Sequence, residues 1–137
     1  MQVQPYLFFN GRCEEAFDFY KKAVGADTNM LMRYKDSPPP HHHTPEMNDK
    51  VLHMQITIGD TTILASDGHC TGELKFEGFA LSLTVKEVAE AERLYAALSA
   101  GGQATMPLTS TFFSPSFGML TDKFGVGWMV YVLRAMK

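Results

Sequence analysis

His53 stands in a run, Val51 to Ile58, in which apolar and polar side chains alternate. Leu52, Met54, Ile56 and Ile58 form one face of a strand there, and His53, Gln55 and Thr57 form the other. An imidazole on a strand face is a candidate general base or a hydrogen-bonding anchor for a ligand. Gln55 projects in the same direction about 7 Å further along. The alternative is structural: His53 bonds a neighbouring strand or a partner subunit. Other candidates are weaker. Asp67, His69 and Cys70 lie close enough in sequence to bind an ion or activate the thiol, although a linker turn with an incidental cysteine explains them as well. His41-His42-His43 could take up a transition ion, but adjacent residues in a proline-broken loop do not preorganise a site, and a solvated tract is expected. Asp122 is expected to cap the turn at Lys123-Phe124-Gly125. The sequence shows no Ser-His-Asp arrangement and no phosphate loop.

Two helices must position these residues. Cys13, Ala16, Phe17, Tyr20 and Val24 share a face from Cys13 to Val24, with Glu14, Glu15 and Asp18 early, Lys21 and Lys22 late, and Gly25 as a left-handed cap. Glu87 to Ala100 repeats the scheme with Val88, Ala91, Leu94, Tyr95 and Leu98; Thr84-Val85-Lys86-Glu87 reads as its capping box and Gly101-Gly102 as its end. At one constant offset Glu15-Ala16 matches Glu90-Ala91 and Tyr20 matches Tyr95. Each helix follows one β-type run (Val3 to Phe9; Phe79 to Val85). Each precedes three more: Thr28 to Tyr34, Val51 to Ile58 and Thr61 to Ser66, then Gln103 to Leu108, Ser116 to Asp122 and Trp128 to Leu133. The chain therefore reads as two tandem βαβββ modules of α+β class, residues 1–66 and 76–137, joined by a linker at 67–75. Residues 36–50, with three prolines and three histidines in a row, are expected to be a mobile loop.

Composition narrows the partners. The 137 residues are 45% hydrophobic and 20% charged, with a net charge of −3 and no basic cluster, so neither nucleic acid nor membrane is expected as a partner. Two cysteines, Cys13 and Cys70, exclude a disulfide framework or a structural zinc knuckle. With no signal-peptide pattern at the start, a cytoplasmic location is expected.

Several segments resemble one family. They are Pro5-Tyr6-Leu7, Asp18-Phe19-Tyr20-Lys21-Lys22-Ala23-Val24-Gly25-Ala26, His53, Ser66-Asp67, and Phe117-Gly118-Met119-Leu120-Thr121-Asp122-Lys123-Phe124-Gly125-Val126-Gly127-Trp128-Met129. Together with the tandem modules, they make the chain similar to PhnB-like proteins of the vicinal-oxygen-chelate superfamily, which includes glyoxalase I, extradiol dioxygenases and bleomycin-binding proteins. The resemblance implies curved sheets forming a cup, in which metal-using members hold a divalent ion with side chains of the first and fourth strands. Aligned on Asp18-Phe19-Tyr20, those positions fall on Pro5, Leu64, Phe79 and Met129, none of which suits a hard ion. Among their neighbours only Gln4 could coordinate. No metal and no other cofactor is expected.

If those positions face the cup, Leu7, Phe9, Thr62, Ser66, Leu81, Leu83, Tyr131 and Leu133 face it too, with His53 as its one ionisable group. The expected ligand-binding residues are His53, Gln55, Ser66, Phe79, Met129 and Tyr131, and His53 is the one candidate catalytic residue. The favoured reading is a metal-free protein that binds a small-molecule ligand and forms a homodimer. The alternatives are a lyase, isomerase or dioxygenase using His53 or an atypically placed metal, and a structural dimer with an inert cup. PhnB-like proteins are sometimes labelled demethylubiquinone methyltransferases, but no glycine-rich strand-to-helix turn for S-adenosylmethionine is visible here.

Overall fold

A computed structural model describes residues 1–37, 44–68 and 74–133. The order is β1 (Tyr6–Phe8), α1 (Cys13–Val24), β2 (Asp27–Arg33), β3 (Val51–Ile58) and β4 (Thr61–Ser66), then β5 (Leu81–Val85), α2 (Val88–Ser99), β6 (Gln103–Thr109), β7 (Phe117–Thr121) and β8 (Gly127–Val132). Two short 3-10 turns, Tyr34–Asp36 and Pro45–Met47, lie between β2 and β3. The βαβββ pattern thus occurs twice, and the chain divides into units Met1–Leu74 and Lys75–Lys137. Each unit has one four-stranded sheet, ordered β1-β4-β3-β2 or β5-β8-β7-β6. The first strand of each module adds parallel to the last, and the other pairings are antiparallel. Neither sheet closes on itself.

In the first unit α1 buries Cys13, Ala16, Phe17, Tyr20 and Ala23. Ala23 takes the place expected of Val24, which is half-buried. Gly25 ends the helix in the left-handed region at φ 72°, its N–H donating to the Lys21 carbonyl while Ala26 N–H reaches back to Tyr20. Met54 and Ile56 of β3, Ile63 and Ala65 of β4, and Leu7 of β1 complete the core. Full burial of a Leu, Ile or Met side chain contributes roughly 1.5–3 kcal/mol. Arg33 of β2 grips Glu14 of α1 through two bonds of 2.7 and 3.1 Å, and this contact holds the Glu14 carboxyl below its usual range.

A buried carboxylate organises this unit. Asp67, 2% exposed, follows β4 and accepts N–H groups from Gly11 (3.0 Å), Cys13 (2.8 Å) and Val51 (2.7 Å). It therefore joins the β1–α1 turn, the start of α1 and the start of β3. The expected loose loop at 36–50 is tighter where it is described, because Tyr34 N–H donates to the Lys50 carbonyl and Lys35 N–H to that of Asn48. The prolines and histidines at 38–43 lie outside the described residues.

The second unit uses other devices. The expected capping box of α2 does not form, because Thr84 belongs to β5, where it pairs with Tyr131, and Glu87 at the N-cap makes no side-chain cap bond. The Tyr95 hydroxyl on α2 lies 2.9 Å from both the Met106 and Met119 carbonyls and shares its proton between them, and burial pushes its phenol up. This close approach needs Gly118, since a Cβ there would meet the Met106 carbonyl oxygen and the Tyr95 ring at 2.9 Å. Asp122, 2% exposed, accepts from Phe124 N–H (2.9 Å), Val126 N–H (3.0 Å) and the Trp128 indole N–H (2.9 Å). The turn is capped as expected, and the same carboxylate anchors the indole of β8.

Removing a carboxylate with three buried donors leaves all of them unsatisfied, at about 1–3 kcal/mol each. Asp122→Ala should therefore lower the melting temperature by roughly 10 °C or more, measured by thermal unfolding followed by circular dichroism. A loss of only a few degrees would show that water replaces the carboxylate and that the turn does not depend on it.

Candidate functional site

The register of the first sheet decides which side chains share its open face, the one turned away from α1. Tyr6 pairs with Leu64 and Phe8 with Ser66, Gln55 with Leu64 and Thr57 with Thr62, and Met32 with His53 and Met30 with Gln55. Neighbours across strands share a face. Tyr6 and Phe8, His53 and Gln55, Leu64, and Met30 and Met32 therefore lie together. Tyr6 and Phe8 are 37% and 53% exposed, whereas Leu7 and Phe9 between and beyond them are 2% and 1% exposed. The expected inward placement of Leu7 and Phe9 is thus reversed. The Phe9 ring lies 6.3 Å from that of Tyr20 on α1, so these two apolar residues serve the core.

At the centre the Tyr6 hydroxyl lies 2.9 Å from His53 Nδ1. The two rings are 5.5 Å apart between centroids, and Phe8 extends the cluster with its ring 4.9 Å from that of Tyr6. A phenol is a stronger donor than an imidazole N–H, which favours the arrangement with Tyr6 O–H donating to Nδ1 and the ring proton on Nε2 over the reverse one. His53 thus bonds a side chain of β1, across the intervening β4 rather than on a strand next to its own. That bond engages Nδ1 and leaves Nε2 without a bond to the described residues, so it does not remove the histidine from chemistry.

The remaining expected site residues divide. Gln55 is half-buried on the same face. Ser66 is there too but only 2% exposed, and its Oγ accepts the Gly68 N–H at 3.1 Å. Met129 and Tyr131 of β8 share the open face of the second sheet with Met119 and Phe117. Phe79 precedes β5, is 47% exposed, and turns its ring to Phe76 at 6.3 Å. Leu81 and Leu83 pair with Trp128 and Val130, which are buried at 2% and 0%, so they belong to the core side and not to the open face. Phe113 meets Phe117 edge-on at 5.1 Å, and Phe112 is 93% exposed.

Metal chemistry finds poor support in these donors. With Tyr6 and Phe8 outward, alternation points to Gln4 rather than Pro5 on the open side of β1, and to Ala80 rather than Phe79 ahead of β5. With Leu64 and Met129 that set offers one amide oxygen, which does not fit a divalent ion. Among the described residues no group of three His, Cys, Asp or Glu side chains converges. The Asp67 carboxylate is occupied by backbone N–H groups, while His69 and Cys70 lie outside the described residues, as do His41, His42 and His43. Cys13 is fully buried; desolvation first, then the Asp67 and Glu14 carboxylates, push its thiol far up, so it is no nucleophile.

Residues 1–131 match the family described as 3-demethylubiquinone-9 3-methyltransferase. The chain belongs to this PhnB-like family. It is 30% identical to protein YjdN of Escherichia coli strain K12 over 142 residues, covering 98% of this chain and 97% of that protein. Among solved structures it is similar to PA1353 of Pseudomonas aeruginosa, with 41% identity, a TM-score of 0.85, and coverage of 98% of this chain and 99% of that one. It is also similar to a PhnB protein of Bacillus cereus, with 26% identity, a TM-score of 0.80, and coverage of 96% and 99%. A glyoxylase/bleomycin resistance protein/dioxygenase domain from Frankia sp. EAN1pec, 14% identical with a TM-score of 0.66 and coverage of 100% and 95%, shares the fold.

Tyr6 is the residue that sequence reasoning missed. Its signal was the pairing of β1 with β4, which puts Tyr6 level with Leu64 and Gln55. Nitrogen-detected histidine spectra should show His53 Nδ1 as an acceptor and Nε2 protonated. Tyr6→Phe should shift Nδ1 while changing stability by less than about 1 kcal/mol, since the bond is exposed. An unmoved Nδ1 resonance would mean that the pair does not form in solution.

Proposed function

We propose that this chain is a glyoxalase-fold small-molecule binding protein that uses no metal at the superfamily position and receives its ligand on the open face of the first sheet. The observation that carries this reading is the Tyr6–His53 pair set among Phe8, Leu64, Met30 and Met32. An apolar surface with a few convergent polar groups is the usual composition of a ligand site. Gln55 adds a second polar group beside His53, and Met129 and Tyr131 offer a similar mixture on the second sheet.

Enzymatic readings are weaker. A catalytic histidine is ordinarily oriented by a carboxylate, and none bonds the His53 ring among the described residues. Methyl transfer, named in the family's description, also lacks support. The β1–α1 turn has its Gly11 and Cys13 N–H groups directed at Asp67, so the helix start that would cradle a cofactor is already occupied by a carboxylate.

Elemental analysis of the purified, tag-free protein should find far less than one equivalent of any divalent metal. One equivalent of Zn, Ni, Mn or Fe, kept after His41, His42 and His43 are replaced by Ala, would overturn the metal-free reading. The exposed Phe112 and Leu133, 93% and 60% accessible, support the homodimer expected from the high aromatic and methionine content. Light scattering should give near twice the 15.3 kDa chain mass, and a monomer mass across a wide concentration range would count against it.

A further inference from the structure

Hydrogen-bond polarity on the open face of the first sheet narrows the ligand class. The Tyr6 hydroxyl and His53 Nδ1, 2.9 Å apart, can share a proton in two ways. If the phenol donates, the imidazole Nε2–H is left pointing away from the pair. If the ring donates from Nδ1, the phenol O–H is left free. Either arrangement keeps one donor for a third partner. Gln55, two residues along the same strand face, adds an amide that can donate as well.

The charges around the pair are few. From β1 the face receives Tyr6 and Phe8, from β4 Leu64, and from β2 Met30 and Met32. The carboxylate that the register brings to it is Asp27, level with Thr57 at the far end of β3, and its Oδ1 accepts the Thr28 N–H. Arg33, level with Val51 at the other end, is held by Glu14 and the Asp49 carbonyl. Among the described residues, a cationic ligand would thus find no carboxylate that the register places beside His53. Among the described residues of these strands, a phosphate dianion would find no guanidinium or ammonium on this face of the kind that binds such groups strongly.

Resting on the reading of this face as a ligand site, we infer that it selects organic monoacids: a carboxylate received by the Tyr6–His53 pair and Gln55, with an aromatic or apolar body laid on Phe8, Leu64 and the two methionines. Tyr6 and His53 are then the specificity-determining residues. Their action requires no proton transfer to or from the ligand.

Three probes of one shape separate the possibilities: 2-naphthoate, the neutral 2-naphthamide and the cation 2-naphthylmethylammonium, each titrated to millimolar concentration while backbone amide shifts are followed. The expected result is shifts at Tyr6, His53, Gln55 and Leu64, with naphthoate bound about tenfold more tightly than the amide and the cation weakest. Tyr6→Phe and His53→Gln should each reduce naphthoate affinity several-fold and leave the amide nearly unchanged, in proteins whose spectra remain native. Equal binding of naphthoate and the amide, or preference for the cation, would overturn the acid selectivity while leaving the face a ligand site. No shift on this face with any probe would overturn the site itself. The wild-type comparison decides the point even if a variant fails to fold.

Discussion

The first unit depends on one carboxylate. Asp67 is removed from water and surrounded by three backbone donors, contributed by the β1–α1 turn, the first residue of α1 and the first residue of β3. Leaving a buried N–H unpaired is costly, so this arrangement fixes where α1 begins and where β3 enters the sheet. Because side chains alternate, the position of Val51 determines the facing of His53 and Gln55. The position of β1 does the same for Tyr6. The three donors it accepts lie outside the candidate site, yet they bear on the relative placement of the phenol and the imidazole.

The second unit reaches the same strand order without that knot. Its buried carboxylate, Asp122, lies in the β7–β8 turn and anchors an indole, while its helix is tied to β6 and β7 by the Tyr95 hydroxyl over the gap that Gly118 leaves open. The repeated pattern is therefore one of topology, with different polar fasteners in each copy. The Phe-Gly-Met segment that carries much of the family resemblance is explained in this chain by packing. Phe117 and Met119 lie on the sheet face opposite Gly118, Phe117 buried under Phe113, and Gly118 is needed beneath the tyrosine.

Alternation explains what could be read from the sequence and what could not. β3 was legible because polar and apolar residues strictly alternate from Leu52 to Ile58, and the structure buries Met54 and Ile56 while leaving His53 and Gln55 half-exposed. α1 was legible to its ends, since its apolar spacing, terminal charges and Gly25 all agree. β1 was not, because Tyr6-Leu7-Phe8-Phe9 is apolar throughout and has no period to set its facing. The facing that the family resemblance implies at Pro5 lies one residue away from the observed one, in which Tyr6 and Phe8 are exposed and Leu7 is buried. β5 failed for a different reason. Leu81-Ser82-Leu83-Thr84 does alternate and points its leucines to the core, whereas the facing implied by the family resemblance at Phe79 is the opposite one. The candidate site was thus half legible: His53 and Gln55 came from the strand pattern, and Tyr6 required the pairing register.

The parallel join of β1 to β4 also has a kinetic side. Tyr6 and His53 are separated by 47 residues, and no hairpin can bring them together. The β2–β3 and β3–β4 pairings connect neighbouring segments, so they close shorter loops and bear a smaller entropic cost. β1 pairs with β4 alone, the last strand of the unit in sequence. During synthesis the first strand is the earliest part of this unit to be made and among the last to find its partner. Until then Phe8 and the neighbouring apolar run remain open to other contacts, and the surface proposed to recognise a ligand is incomplete without β1.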